Sequence, residues 1–212
     1  MVEKTKNTIV YFLGNTMYIN VTNLCTNNCV FCIRTLNPNV LGKNLWLDGE
    51  VSAEEIINDI KENSPETADE IVFCGYGEPL IKLDIVKTVA KFIKDNYPDR
   101  PVRVNTNGHA SLIHKRNVPA ELAGLIDKVS VSLNAENADL YQELSVSNFD
   151  KDVVYENVKE FISECQKNGI DTTATVVSGF KNYKVDIEKC REIAESLGAK
   201  FKVREWLEDG YN

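Results

Sequence analysis

Between Lys128 and Asn134 the chain alternates without a break, setting Val129, Val131 and Leu133 against Ser130, Ser132 and Asn134. A period of two marks a strand whose faces meet different surroundings. The same parity recurs in Met17–Thr22, where Met17, Ile19 and Val21 oppose Tyr18, Asn20 and Thr22. In Val102–Asn105 it opposes Val102 and Val104 to Arg103 and Asn105, and in Phe201–Glu205 it opposes Phe201 and Val203 to Lys202 and Arg204. Further strands are expected at Glu70–Cys74 and Asp171–Val177. The helices between them begin with one announced by Ser52 and Glu55, a capping box ahead of Ile56, Ile57 and Ile60. Others are expected over Leu83–Asn96, Pro119–Ile126, Val153–Asn168 and Val185–Leu197. Pro119 suits a first turn, and Gly169 and Gly198 suit C-terminal caps.

Strands alternating with helices predict an α/β fold built on a parallel sheet. Right-handed crossovers leave two forms, an open doubly wound sheet or a curved, barrel-like one. The first buries both faces in apolar contacts, and a closed eight-stranded barrel fills its interior with branched apolar side chains. Polar groups along one face fit neither. The expectation is a partial (β/α)6 TIM-like barrel, a parallel six-stranded curved sheet around a cavity; the alternative is that these polar groups merely sit near strand ends. Residues 1–212, with 43% hydrophobic and 26% charged, suit a single domain. The apolar run Ile9–Leu13 is too short for a signal segment or a membrane span, so a cytoplasmic protein without membrane attachment is expected. A net charge of -8 disfavours broad nucleic-acid binding but is compatible with a local basic patch for an anionic substrate.

Six cysteines without an export signal point to reduced, metal-ligating thiols rather than disulfides. Cys25, Cys29 and Cys32 directly follow the first strand, in a loop at the carboxyl edge of the sheet, where α/β folds bind ligands. Zinc asks for a fourth protein ligand, yet His109 and His114 lie far down the chain and Cys74, Cys165 and Cys190 are scattered singly. Ferredoxin clusters also take four cysteines, so three leave one iron open. A structural zinc site, a thioredoxin-like pair at Cys29 and Cys32, and buried thiols with no metal role are the rival readings.

Cys-x3-Cys-x-aromatic-Cys, with Phe31 as the aromatic, resembles the cluster motif of the radical S-adenosylmethionine superfamily. The resemblance implies that Cys25, Cys29 and Cys32 hold a [4Fe-4S] cluster whose open iron is chelated by S-adenosylmethionine. It implies further that the reduced cluster cleaves S-adenosylmethionine to a 5′-deoxyadenosyl radical, which abstracts hydrogen from a substrate. A flavodoxin- or ferredoxin-like electron donor follows from the same chemistry.

The stretch Cys74-Gly75-Tyr76-Gly77-Glu78-Pro79 is similar to the family's Gly-Gly-Glu element, from which Tyr76 departs. Gly75 and Gly77 are expected to allow close backbone approach and unusual dihedrals, and Glu78 to accept from the S-adenosylmethionine ammonium; an ordinary strand-to-helix turn is the alternative. Asn105-Thr106-Asn107-Gly108 is similar to the family's Thr-Asn-Gly turn, in which Asn105 either shapes the turn or faces S-adenosylmethionine or substrate. Ser132 and Asn134 match in position the polar residues with which relatives hold the ribose and carboxylate. Arg204, with Lys202, is placed for the S-adenosylmethionine carboxylate or an anionic substrate group, a solvated ion pair being the alternative, and Arg34 shares that ambiguity. Cys74 is expected to be a small buried hydrophobe. Cys165 and Cys190 lie in helical patterns and are not expected to form a second cluster.

The chain also resembles the radical proteins associated with the TatD family, which implies a functional link to a TatD-type metal-dependent hydrolase. The competing functions are a non-catalytic iron-sulfur protein for electron transfer or oxygen sensing, and a glycyl-radical activase.

Overall fold

A computed structural model describes residues 7–36, 39–40 and 42–206. The chain opens with a hairpin of β1 (Val10–Leu13) and β2 (Thr16–Ile19), followed by a short helix α1 (Ile33–Leu36) and two small strands, β3 (Asn39–Val40) and β4 (Lys43–Asn44). Then come α2 (Ala53–Glu62), β5 (Glu70–Phe73), α3 (Leu83–Asn96), β6 (Val102–Thr106), α4 (Ala110–His114) and α5 (Val118–Leu122). The rest is β7 (Lys128–Ser132), α6 (Ala138–Ser145), α7 (Lys151–Lys167), β8 (Asp171–Ser178), α8 (Ile187–Ser196) and β9 (Lys200–Glu205).

The main sheet runs β1-β2-β5-β6-β7-β8-β9. From β2 to β9 every pairing is parallel, and these are the six expected strands. The structure adds β1 as an antiparallel edge, so the sheet has seven strands rather than six. Its run Val-Tyr-Phe-Leu carries no alternation to betray a strand, and it is held by the hairpin and by the Asp59 carboxylate, which accepts from the Val10 N–H at 2.9 Å.

Register explains the parity. Met17 aligns with Ile71, Ile19 with Phe73, Phe73 with Val104, and Val104 with Val129, and all six of these side chains are at most 1% exposed. This face packs under the helices; α3 contributes Val86, Val89, Ala90 and Ile93, and α7 contributes Val154, Val158, Phe161 and Ile162. On the other face Tyr18, Val72, Arg103 and Lys128 form one row, and Ser132, Thr175 and Lys202 another. The polar residues therefore share a continuous concave side, as expected, and do not merely end their strands.

Helix boundaries follow local chemistry. Ser52 Oγ accepts from the Glu55 N–H at 3.2 Å while the Glu55 carboxylate accepts from the Ser52 N–H at 2.8 Å, completing the capping box that starts α2. Asp150 and Asp186 cap α7 and α8, which begin at Lys151 and Ile187, each two residues from the expected start. The helix expected over Pro119–Ile126 stops at Leu122, since Ala123 has already left helical geometry. Helices α4 and α6 were not anticipated from sequence; each is short, and α6 is capped by Asn137, whose Oδ1 accepts from the Leu140 N–H at 2.9 Å. Replacing Ser52 by Ala is expected to lower unfolding free energy by about 1 kcal/mol, read from urea denaturation midpoints.

Candidate functional site

The cysteine loop leaves β2 and crosses the carboxyl edge of the sheet, clamped from two sides. On one side, the turn after β5 presses against its start. The Glu78 N–H donates to the Leu24 carbonyl at 2.8 Å, and a Cβ on Gly77 would stand 2.2 Å from the Thr22 carbonyl oxygen and 2.5 Å from that of Leu24. A Cβ on Gly75 would meet Asn20 Oδ1 at 1.9 Å. Asn20 is itself fully buried, its amide donating to the Leu45 carbonyl at 2.6 Å. Close approach was expected of these glycines, but it is an approach to their own chain. Neither has a positive φ, so the expected unusual dihedrals are absent from both.

On the other side the loop docks on the end of α6. The Asn28 N–H donates to the Ser145 carbonyl at 3.1 Å, Val30 N–H to Leu144 at 3.0 Å, and Asn148 N–H returns to Thr26 at 3.0 Å. Arg34 closes the loop from within, donating to the carbonyls of Asn23 at 3.3 Å and Asn27 at 3.1 Å. Its guanidinium thus serves the loop backbone, a role the sequence reading did not consider. Asn23 anchors the opening residues through paired hydrogen bonds with the Leu47 backbone, at 2.9 and 3.1 Å.

Beneath the loop lies a polar chain that sequence did not reveal. Asn107 Nδ2 donates to Thr26 Oγ1 at 2.9 Å, so the Thr26 hydroxyl proton is free to be donated to His109 Nδ1, 2.8 Å away. His109 then carries its proton on Nε2, 2.7 Å from the Tyr141 hydroxyl. His109 is fully buried, and burial pushes its pKa down to about 3, keeping the ring neutral. Far away in sequence, it props the loop without being a ligand. The one signal for it was its place just after the Asn107-Gly108 turn.

The loop roofs a cavity of about 300 Å³, within the range of small-molecule sites. Cys25, Cys29, Cys32, Phe31, Gly75, Gly77, Glu78, Asn105, Ser132, Asn134 and Arg204 all line it. Asn134 lies beyond the end of β7 rather than on the strand, with φ of 62°, and its amide donates to Ser145 Oγ at 3.1 Å. Cys74 also lines the cavity, a correction to the expectation of a small buried hydrophobe: it lies just beyond β5, where Asn105 hydrogen-bonds it. Cys165 and Cys190 are buried in the apolar core. Phe31 packs edge-on against Phe180, whose ring meets Trp206 at 5.0 Å, forming an aromatic wall at the cavity rim.

Glu78 sits 4% exposed behind the cavity. Its Oε1 accepts from the Thr106 hydroxyl at 2.8 Å and the Leu80 N–H at 3.1 Å, and its Oε2 accepts from the Asn107 N–H at 2.7 Å. Burial pushes its pKa up to about 7, against those three donors, which favour the anion. A carboxylate offers about four lone-pair sites, so one remains on Oε2 for a ligand.

The thiols suit a cluster. Burial, with the nearby Glu78 charge, raises Cys25 to about 11, and burial with the neighbouring Cys32 and Cys25 raises Cys29 to about 12. These two thiolates therefore need the positive charge of iron to form. Amide donors already face sulfur: Asn27 N–H lies 3.4 Å and Asn107 Nδ2 3.9 Å from Cys25 Sγ. Among the described residues no three His, Cys, Asp or Glu side chains close on a single metal ion, the arrangement zinc imposes at about 2.3 Å per sulfur. Separate irons of a cluster ask for a wider spacing. Replacing Gly77 by Ala is expected to unseat the loop, so that anaerobic reconstitution yields less than about a quarter of the wild-type iron, with unfolding free energy lower by about 2 kcal/mol or more.

Comparison with known proteins agrees with this geometry. The family model described as Radical SAM superfamily matches residues 19–203. A probable GTP 3′,8-cyclase of Methanothermobacter marburgensis is 29% identical over 179 residues, covering 82% of this chain and 53% of the relative. The dual-specificity RNA methyltransferase RlmN of Buchnera aphidicola is 24% identical over 203 residues, covering 86% and 51%. The chain spans about half the length of these curated relatives. Among solved structures, Streptococcus suis SuiB bound to its precursor peptide SuiA superposes with a TM-score of 0.68 at 15% identity, over 94% of this chain and 41% of that one, a likeness of fold. No helix of the described residues is long and apolar enough to cross a membrane. With its three-thiol loop seated at the mouth of a half-open barrel and its matched span running from β2 to β9, this chain belongs to the radical SAM superfamily.

Proposed function

We propose that this chain is a radical S-adenosylmethionine enzyme acting on an unidentified substrate. The observation that carries the reading is the convergence of Cys25, Cys29 and Cys32 with Glu78, Ser132 and Asn134 on one cavity. The superfamily uses a [4Fe-4S] cluster and S-adenosylmethionine, which together supply a 5′-deoxyadenosyl radical for hydrogen abstraction.

This chain's residues divide the work around that chemistry. Cys25, Cys29 and Cys32 would hold the cluster, and the amides of Asn27 and Asn107 temper the charge on Cys25 sulfur. Glu78 would take the S-adenosylmethionine ammonium on its remaining Oε2 lone pair, while Thr106 and Asn107 hold the carboxylate in place. Gly75 and Gly77 keep the turn flush with the loop. Ser132 and Asn134 would meet the ribose and carboxylate, Asn105 the adjoining cavity floor, and Phe31 would shield the radical from water. Arg204, placed from sequence for the S-adenosylmethionine carboxylate or an anionic substrate group, lines the same cavity from β9.

A cavity of this size beside the thiols favours an enzyme over an electron carrier or sensor, which has no use for it. The named substrates of the relatives, GTP and RNA, are both anionic; they set a class to screen and not a substrate. A cytoplasmic location, a flavodoxin- or ferredoxin-like donor and a functional link to a TatD-type hydrolase belong to the same proposal. The last would be checked by co-purification with such a hydrolase.

Anaerobic reconstitution, reduction and assay for 5′-deoxyadenosine tests the reading; a fully loaded, reducible cluster that never cleaves S-adenosylmethionine overturns it. Cys29→Ala is expected to abolish cluster assembly by iron and sulfide content. Glu78→Gln, which preserves the shape of a side chain with three buried partners, is expected to keep the cluster yet weaken S-adenosylmethionine about tenfold, or about 1.4 kcal/mol, by calorimetric titration. Because the folded pKa of Glu78 is raised to about 7, its anion is lost below neutrality. Wild-type affinity for S-adenosylmethionine should therefore climb between about pH 6 and about pH 8 and then level, whereas Glu78→Gln should show no such rise.

A further inference from the structure

The concave face of the sheet carries an unmatched positive charge at one end. Lower on that face, Arg103 and Lys128 share the Glu70 carboxylate at 2.9 and 3.0 Å, and Lys200 pairs with Asp171 at 2.7 Å. Two cations higher on β9, Lys202 and Arg204, have no acidic partner among the described residues. Arg204 borders the cavity, donates one N–H to Thr175 Oγ1 at 2.8 Å, and has a buried Nε for which the described residues offer no acceptor. The carboxylates nearest by do not serve it. Glu78 is committed to Thr106, Asn107 and Leu80, and Glu205, which also borders the cavity, forms no ion pair with it.

We propose that Arg204, steadied by Thr175 and assisted by Lys202, is a specificity-determining residue that binds an oxyanion of the substrate, a carboxylate or a phosphate. This rests on the reading above, in which Glu78 takes the S-adenosylmethionine ammonium and Ser132 and Asn134, on and just beyond β7, meet its ribose and carboxylate. Arg204 lies farther along the sheet on β9, with β8 between it and β7. A planar guanidinium with one N–H already fixed presents its remaining donors in a set orientation, which suits a forked oxyanion better than a point charge. In a chain of net charge -8, two unpaired cations on the cavity's face also draw an anionic ligand inward while the outer surface repels it.

Equilibrium dialysis of labelled inorganic phosphate and, in parallel, labelled acetate against the cluster-loaded protein, with and without S-adenosylmethionine, tests this. The wild type is expected to retain one of the two anions, and which one identifies the group. R204Q should weaken that retention about tenfold or more, R204K should restore part of it, and K202Q should weaken it a few-fold. The S-adenosylmethionine affinity of all three variants, followed by perturbation of the reduced cluster's paramagnetic resonance spectrum, should stay within about threefold of wild type. Two results would overturn the proposal: neither anion retained above the R204Q level, or a tenfold loss of S-adenosylmethionine affinity in R204Q, which would assign Arg204 to that cofactor's carboxylate. The arm without S-adenosylmethionine reads the anion site even if the wild type binds no S-adenosylmethionine, so failure of the enzyme reading is distinguishable.

Discussion

The contact on which the rest of the site depends is between backbone and backbone, where the turn after β5 meets the cysteine loop. Gly77 has no side chain because the carbonyls of Thr22 and Leu24 occupy the space a Cβ would take, and the next residue, Glu78, donates its N–H to Leu24. One turn thus seats the three-thiol loop and delivers the Glu78 carboxylate to the cavity. Had the turn stood off by the width of a methyl group, the thiols and the carboxylate would no longer share a wall.

The opposite clamp, on the end of α6, uses carbonyls that a helix leaves without internal partners. Leu144 and Ser145 are among the last residues of α6, and they accept from Val30 and Asn28. The loop thereby gains fixed backbone positions at little cost, since it satisfies groups that would otherwise need water. The neutral His109 chain below it supplies directed hydrogen bonds without placing a second charge beside buried thiols, which burial already holds protonated in the absence of iron. Charge in this site is uneven: burial raises the Glu78 pKa to about 7, Arg103 and Lys128 share the one Glu70 carboxylate, Arg34 donates to loop carbonyls, and Lys202 and Arg204 have no acidic partner among the described residues.

Much of this was legible before any coordinates. Strand parity in Val129–Asn134 and Phe201–Glu205 foretold a polar concave face, because side chains on a strand must alternate whatever surrounds them. Ser52 and Glu55 announced α2 because a capping box is closed by residues three apart. The residues named for the cavity do line it. What failed were features with no local signature. The run Val10–Leu13 becomes a strand only because Met17 and its neighbours pair with it, α6 is a helix of eight residues, too short to show a repeating stripe, and Cys74 looks like any core thiol until the fold places it at the cavity.

By itself, the sequence determined the six parallel strands, the parity of the sheet and the spacing of three thiols, all consequences of interactions between residues a few positions apart. Only the tertiary structure decided what holds the thiols and what charge the cavity keeps. Thr26 meets His109 across 83 positions, Asn107 reaches Cys25 across 82, and Glu78 receives the Asn107 N–H across 29. Such contacts depend on which loops the curved sheet brings together at its carboxyl edge, and the ion pairs that leave Arg204 unmatched depend on which strands are neighbours. Neither is written in any local run of residues.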